Sequence, residues 1–187
     1  MKILIEVSAR HIHLARQDLE KLFGADYELT KIKQLSQPSD FACHETADIQ
    51  VGSKKIEKVR IVGPLREQTQ VEISKTDAFF LGVNPPIRLS GDLSDSCGIK
   101  LIGPNGEVDL EKGLIIALHH IHCTKSEAEE LGLKDNDAVA VKIDSGRPVT
   151  FYDVLVRVRD DYKLCMHIDT DEGNAAGINK IGAGQIL

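Results

Sequence analysis

The sequence predicts a mainly β protein built from two β-barrel domains with short capping helices. Three observations lead there: many short runs rich in β-branched residues, few helix signals, and one strand, histidine and helix pattern that occurs twice. The 187 residues allow one large domain or two small ones, and 42% hydrophobic residues are enough for a core. Aromatic residues make up only 4%, so aliphatic side chains must fill that core.

The predicted strands are short runs bounded by Gly, Pro, Asp or Asn. Runs of this kind with turn residues between them are typical of barrels and sandwiches. Turns are marked by sequences such as Gly63-Pro64 and Ser145-Gly146-Arg147-Pro148. In chain order the predicted strands cover residues 3–7, 47–51, 58–62, 70–74, 98–102, 114–118, 138–143 and 154–158.

Two short helices are predicted. The first covers residues 15–23, has one apolar face, and ends at Gly24. The second covers residues 124–131 and ends at Gly132. It begins with Thr124-Lys125-Ser126-Glu127, a capping box in which the Thr hydroxyl and the Glu carboxylate accept hydrogen bonds from free backbone amides.

An internal repeat divides the chain. A strand, His-Ile-His, a short acidic helix, leucine and glycine follow one another in residues 3–24 and again in residues 114–132. The Gly-, Pro- and Asn-rich segment 103–113 is the natural boundary region. We therefore predict a first barrel over residues 1–110 and a second over residues 111–187, and strand exchange between them is allowed.

Composition excludes some classes of function. The chain has 23 Lys+Arg against 29 Asp+Glu, a net charge of −6, whereas nucleic-acid backbones are bound by clustered cations. No apolar run approaches the 18 residues of a membrane span, and the N-terminus does not resemble a secretory signal, so we predict a cytoplasmic protein. In that reducing compartment free, mostly buried thiols are expected at Cys43, Cys97, Cys123 and Cys165.

The repeated His-x-His pairs indicate metal binding. Residues i and i+2 of a strand point to the same face, so His11 and His13 would lie side by side, as would His120 and His122. One such pair is also typical of buried, hydrogen-bonded histidines, but two equivalent pairs favour metal ligation.

Each histidine pair needs at least a third ligand to hold a metal ion. His-rich sites with few thiolates suit zinc, and other divalent metals bind the same ligand types. The candidates for the third ligand are Glu72, His167, His44, Asp169 and Asp171.

Two other residues carry possible chemistry. Arg66 lies between two predicted strands, where it is either a surface residue or a fork that holds phosphate, with Gln68, Gln70 and Glu72 nearby. Cys123 follows the second histidine pair and is either a nucleophile, a ligand or a buried structural thiol.

Five ordered motifs resemble one family. Over nearly the whole chain the sequence is similar to the PduL-type phosphotransacylases, the phosphate propanoyltransferases. The motifs are Val7-Ser8-Ala9-Arg10-His11-Ile12-His13-Leu14, Gly63-Pro64-Leu65-Arg66 with Gln68-Thr69-Gln70-Val71-Glu72-Ile73-Ser74, Pro85-Pro86-Ile87-Arg88 with Ser90-Gly91-Asp92, His120-Ile121-His122, and His167-Ile168-Asp169-Thr170-Asp171-Glu172.

This resemblance implies two β-barrel domains with a two-zinc site in the cleft between them. It implies that Arg66 binds inorganic phosphate and that an acyl group, propanoyl or acetyl, moves reversibly between coenzyme A and phosphate to give acyl phosphate. Substrates would therefore be acyl-CoA or CoA and phosphate or acyl phosphate, with neither nucleic acid nor membrane as partner and a homo-oligomer possible. The implied zinc ligands are His11, His13 and Glu72 for one ion and His120, His122 and His167 for the other.

The sequence departs from the family pattern in two places. His119 stands where members usually have Arg, and it is interpreted as a residue behind the ligands or at the surface rather than as an extra ligand. The amphipathic N-terminal extension of members packaged in bacterial microcompartments is not seen, which favours a general cytoplasmic role over encapsulation.

Two other functions remain open at this point. A zinc hydrolase acting on phosphoesters or amides would also use two metals with open positions. A non-catalytic metal-binding barrel is the other alternative, since residues 128–141 resemble the helix, turn and strand of double-psi-type barrels, and fold analogy alone does not decide function.

Overall fold

The computed structural model describes residues 2–187. In chain order the strands within this range are β1 (Lys2–Val7), β2 (His11–His13), β3 (Lys31–Gln34), β4 (Phe41–Val51), β5 (Lys54–Gly63), β6 (Gln70–Glu72), β7 (Ile87–Arg88), β8 (Cys97–Ile102), β9 (Glu107–Ala117), β10 (His120–Cys123), β11 (Ala138–Ile143), β12 (Thr150–Val158), β13 (Cys165–Ile168) and β14 (Ile181–Ile186). The helices are α1 (Arg16–Phe23), α2 (Lys75–Leu81), α3 (Lys125–Leu131) and α4 (Thr170–Ala176).

The larger of two compact units is Arg10–Ala117, which we call the larger barrel. Six strands close it in the order β4, β5, β2, β6, β9, β8, and β8 pairs back to β4. β3 and β7 extend this sheet at β4 and β9. Alternate residues of each strand face inward, so Ile12, Ile61, Val71 and Leu114 lie fully buried in one aliphatic core.

The second unit joins the chain up to Ala9 to Leu118–Leu187, and we call it the smaller barrel. Its six strands close in the order β1, β13, β10, β12, β11, β14. Ile5, Ile121 and Met166 are fully buried in its core. The predicted mainly β fold with two barrels and short helices is confirmed.

The strand pairings of the two barrels correspond one to one, which supports the predicted repeat. β2 runs parallel to β5 and antiparallel to β6, just as β10 runs parallel to β12 and antiparallel to β13. β6 then pairs in parallel with β9, and β13 with β1. β1 lies in the predicted first range, 1–110, but it closes the smaller barrel. Most of β9 lies in the predicted second range, 111–187, but it closes the larger barrel.

Helix capping explains where the helices begin and end. Thr124 caps α3 through the predicted capping box, and Gly132 ends it in a left-handed conformation with φ 68°. No helix was predicted at α2 or α4. Both have the same capping-box geometry, with Ser74 and Asp169 as the capping residues.

The thiols agree with the sequence expectation. Cys43, Cys97, Cys123 and Cys165 are all free, and only Cys97 is partly exposed among them. Over residues 2–187, none of the helices combines the length and the apolar character that crossing a bilayer with a helix requires.

Asp48 fixes an irregular stretch of the larger barrel. The register of β4 against β5 shifts between Ala47 and Ile49, and Lys58 opposite this shift has φ 55°. The Asp48 carboxylate accepts hydrogen bonds from the Lys58 backbone amide and the Lys55 ammonium, both at 2.9 Å. Burial opposes ionisation, but these two donors outweigh it and lower the pKa of Asp48.

Replacing Asp48 with Asn is expected to lower the free energy of unfolding by about 1 kcal/mol at pH 7, because charge-assisted hydrogen bonds are lost. Since the folded-state pKa is lowered, this stabilisation is present above the unfolded value of about 3.9 and disappears as pH falls through the folded pKa. Urea unfolding at neutral and acidic pH measures it, with Asp160→Asn at an exposed position as control. An equal loss at both pH values would contradict this account.

Candidate metal centres and active site

Each histidine pair forms a short strand of its own. The pairs were expected at the ends of the preceding strands, but β1 ends at Val7 and β9 at Ala117, and the pairs begin β2 and β10. The residue between each pair, Ile12 or Ile121, is fully buried in a barrel core. The histidines therefore point away from the cores, to the outer face of each barrel.

In the larger barrel, His11, His13 and Glu72 come together. The two imidazole rings lie 4.9 Å apart between centroids and are nearly perpendicular. Glu72 is directly opposite His11 in the register of β2 and β6, with its Oε2 atom 3.6 Å from His11 Nε2. His13 Nδ1 lies 3.0 Å from the Val62 carbonyl oxygen, to which it donates, so Nε2 carries the lone pair.

The electrostatics of this cluster suit a cation. Burial, together with His11 and Arg66, holds the pKa of His13 well below its ordinary value, so its imidazole is neutral. Burial raises the pKa of Glu72, but His11, His13, a hydrogen bond with Ser90 and Arg66 outweigh it and lower that pKa to about 2. Neutral imidazole and ionised carboxylate are the protonation states that metal ligands need.

Arg66 is connected to this cluster through Ser90 and Gln70. The Arg66 Nη1 atom donates to Ser90 Oγ at 2.9 Å, and Gln70 Nε2 donates to the same oxygen at 3.0 Å. Gln70 Nε2 also donates to Glu72 Oε1 at 2.6 Å, while its own Oε1 accepts from the Gly91 amide at 2.8 Å. Oε1 of Glu72 therefore accepts from Gln70, and Oε2 is the oxygen that lies near His11.

The backbone around Arg66 is fixed by buried polar groups. The Arg66 amide donates to the Leu14 carbonyl at 2.9 Å. Thr69 Oγ1 accepts from the Ala15 amide at 2.9 Å and donates to Asp18 Oδ2 at 2.6 Å. Asp18 and Thr69 are buried, so water does not replace these bonds and the loop is held against α1.

In the smaller barrel, His120, His122 and His167 form the equivalent cluster. Their ring centroids are 4.5 to 5.5 Å apart. His167 is directly opposite His120 in the register, as Glu72 is opposite His11. His120 Nδ1 donates to the Leu118 carbonyl at 2.7 Å, which leaves the lone pair on Nε2.

His122 has a buried ring nitrogen without a hydrogen-bond partner. Among residues 2–187, its Nδ1 is the buried side-chain nitrogen that makes no hydrogen bond. Burial, with the neighbouring His120 and His167, lowers the pKa of His122 far below its ordinary value, so the ring is neutral. An unsatisfied buried nitrogen costs about 1–3 kcal/mol, and a metal ion is a partner that it fits.

Two sets of three donor residues lie especially close together within the described chain. In each set, one ligand atom per residue lies within 4.8 Å of the others. The first set is His11, His13 and Glu72; the second is Glu6, Cys165 and His167 rather than the expected histidine triad. The donor types in both sets suit zinc.

The comparisons with known proteins identify the family. The sequence model of phosphate propanoyltransferase matches residues 4–179. A phosphate propanoyltransferase of Thermotoga maritima is 56% identical over 95% of this chain and 85% of its own length. Those of Clostridioides difficile and Listeria monocytogenes are 47% and 46% identical, over 99% and 98% of this chain and 88% and 86% of their own lengths.

The chain belongs to the phosphate propanoyltransferase family. It is therefore an acyltransferase, and the resemblance stated from its motifs is confirmed. The matched region contains both histidine clusters and the Arg66 loop.

In this phosphate propanoyltransferase family member, His119 links two elements of the smaller barrel. Its Nδ1 lies 2.5 Å from Glu172 Oε1, and its Nε2 lies 3.0 Å from the Tyr152 carbonyl. Both partners are acceptors, so both nitrogens donate. Burial opposes the charge, but Glu172 outweighs it and raises the pKa of His119. His119 thus holds the start of α4 to β12.

The other polar residues considered from the sequence do not belong to either cluster. His44 and Gln68 are exposed. Asp169 caps α4, and Asp171 lies in its first turn. Arg88 makes ion pairs with Asp92 and Asp95, so its charge is balanced locally.

Cys123 is unsuited to nucleophilic attack. It is fully buried in an apolar cluster with Ala128 and Val156. Burial raises the pKa of its thiol to about 11, so it carries almost no thiolate at neutral pH.

Proposed function

We propose that this protein transfers a propanoyl or acetyl group reversibly between coenzyme A and inorganic phosphate, with two zinc ions per chain. His11, His13 and Glu72 would hold one ion, and His120, His122 and His167 the other. Arg66 would bind the phosphate. The observation that carries this proposal is the register equivalence of the clusters: each His-x-His pair has a third donor directly opposite its first histidine.

Arg66 is suited to phosphate because its guanidinium is a rigid fork of donors that matches an oxyanion. Its backbone is tied to Leu14, and its Nη1 is tied to Ser90. A side chain held in this way loses little conformational entropy when phosphate binds. The Ser90 and Gln70 network also couples its position to the Glu72 carboxylate.

When bound, zinc would stabilise the negative charge that develops on the thioester carbonyl and on the departing thiolate. The chain's own residues orient the histidine rings that would bind zinc. Val62 and Leu118 accept from the Nδ1 atoms of His13 and His120 and so leave both Nε2 lone pairs for a metal ion. Phosphate held by Arg66 would attack the thioester directly, since proximity of two bound substrates removes much of the entropic barrier.

Replacing Thr69 with Val should raise KM for phosphate several-fold and lower the free energy of unfolding by about 1–3 kcal/mol, since the Ala15 amide and the Asp18 carboxylate lose their partner. Thr69→Ser restores the hydroxyl and should recover both values. Steady-state kinetics and urea unfolding measure them. If Thr69→Val loses stability without any change in phosphate KM, the Thr69 hydrogen bonds do not position Arg66 for phosphate binding.

Cys123→Ala should retain phosphate-dependent activity, because direct attack needs no acyl-enzyme. Rapid-mixing experiments with mass spectrometry should find no acylated cysteine on the productive path. Acylation of Cys123 at a rate that matches turnover would overturn the direct mechanism.

The proposed function is tested by the products formed from propanoyl-CoA and acetyl-CoA. We expect free CoA and acyl phosphate in equal amounts, and no CoA release when phosphate is left out. CoA release without phosphate, accompanied by free acid, would instead identify a zinc hydrolase. Absence of any reaction with zinc-loaded protein would contradict the proposed substrates.

A further inference from the structure

The outer face of the smaller barrel carries more metal-binding side chains than the three histidines. Glu6 on β1 is directly opposite His167 on β13, and Cys165 precedes His167 by two residues. Cys165 is in turn opposite His122 on β10. Residues that are paired in this way, or two apart on one strand, point to the same face.

Cys165 belongs to this polar face and not to the apolar core. Its neighbours in sequence, Met166 and Leu164, pack with the core of the smaller barrel, whereas Cys165 itself is absent from that cluster among the described residues. Cys165 is nevertheless 1% exposed, while Glu6 and His167 are half-buried. The thiol is therefore shielded from bulk solvent and lies beside an imidazole and a carboxylate.

The donor atoms of these three residues are close enough for one ion. The Cys165 sulfur, a His167 nitrogen and a Glu6 carboxylate oxygen all lie within 4.8 Å of one another. Zinc ligands lie about 2.0–2.3 Å from the ion, so donors in a tetrahedral site are about 3.3–3.8 Å apart. Small side-chain rotations close this difference, and sulfur, nitrogen and oxygen are all accepted zinc donors.

We propose that Glu6, Cys165 and His167 form a thiolate-containing binding site for a thiophilic divalent metal ion. Cys165 gives up its thiol proton to solvent when the ion binds, and the sulfur becomes a ligand. This proposal rests on the proposed metal role of His167. Because His167 also belongs to the triad with His120 and His122, the smaller barrel offers a metal ion two donor sets that share one imidazole.

Cobalt(II) titration of the full-length, chelator-treated protein tests the site without measuring activity. A cobalt–thiolate bond gives an intense charge-transfer absorption in the near ultraviolet that histidine and carboxylate ligands do not give. We expect this band in the wild type, its loss in Cys165→Ala, and its retention in Cys97→Ala, which removes the most exposed of the four cysteines. Circular dichroism confirms that each variant is folded.

Glu6→Gln keeps the cysteine and removes the charged oxygen donor. It should shift the cobalt titration of the band to concentrations about tenfold higher or more. A wild-type protein without the band, or a band that persists in folded Cys165→Ala, would overturn the thiolate site. Should phosphate-dependent acyl transfer persist in that protein, the proposed function stands and only this inference fails.

Discussion

Arg66→Ala is expected to lower kcat/KM for phosphate by about 100- to 1,000-fold, the usual cost of removing a preorganised charged donor at a reacting oxyanion. The Arg66 guanidinium donates a hydrogen bond to Ser90, and its positive charge lowers the pKa of both Glu72 and His13. KM for acyl-CoA should change much less than KM for phosphate, because the lost interaction is with phosphate. Steady-state kinetics with each substrate varied in turn measures both effects.

Two variants sharpen this prediction. Arg16→Ala removes an exposed arginine that pairs with Glu28 at the surface, so it should leave the rate nearly unchanged. Arg66→Lys keeps the charge but loses the planar fork, and it should recover only part of the activity. A phosphate KM that Arg66→Ala leaves unaltered would show that phosphate binds elsewhere.

His11→Ala and His120→Ala are each expected to lower the zinc content that remains after dialysis, with a fall in acyl transfer of at least about 100-fold. Each change removes one of three protein ligands of its cluster, and the remaining donors, which for His120→Ala include Glu6 and Cys165 beside His167, hold the ion more weakly. Elemental analysis after dialysis gives the zinc content, and the phosphate-dependent release of CoA gives the rate.

His44→Ala is the matched control because His44 is exposed and lies outside both clusters. It should keep both zinc ions and full activity. If His11→Ala and His120→Ala retained the zinc content of the wild type, the assignment of the two clusters as metal centres would be wrong.

Much of the fold could be predicted from local signals. β-branched runs, turn residues and the Thr124 capping box identified most long strands and α3. The pairing of β1 with β13 and β14 could not be predicted, because register across more than 150 residues depends on tertiary packing. The helix α2 was missed because the predicted strand 70–74 included its capping residue Ser74, and α4 was missed because its capping residue Asp169 was considered as a metal ligand.

The histidine ligand candidates were found because two His-x-His pairs at equivalent places of a repeat have few purely structural explanations. The residues around them were harder to find. Ser90 and Asp18 are common residue types whose roles appear only when β6, α1 and the Arg66 loop come together. Glu6 and Cys165 gave no signal, because their proximity to His167 comes from strand register rather than from sequence spacing.

Zinc titration of the metal-free wild type tests the central claim most directly. Chelator-treated protein is supplied with increasing zinc, and phosphate-dependent CoA release from propanoyl-CoA is followed at each ratio. The proposal that each cluster holds one zinc ion predicts negligible activity without zinc, a rise that ends at about two equivalents per chain, and no further gain beyond that ratio. Full activity in the metal-free protein would contradict it.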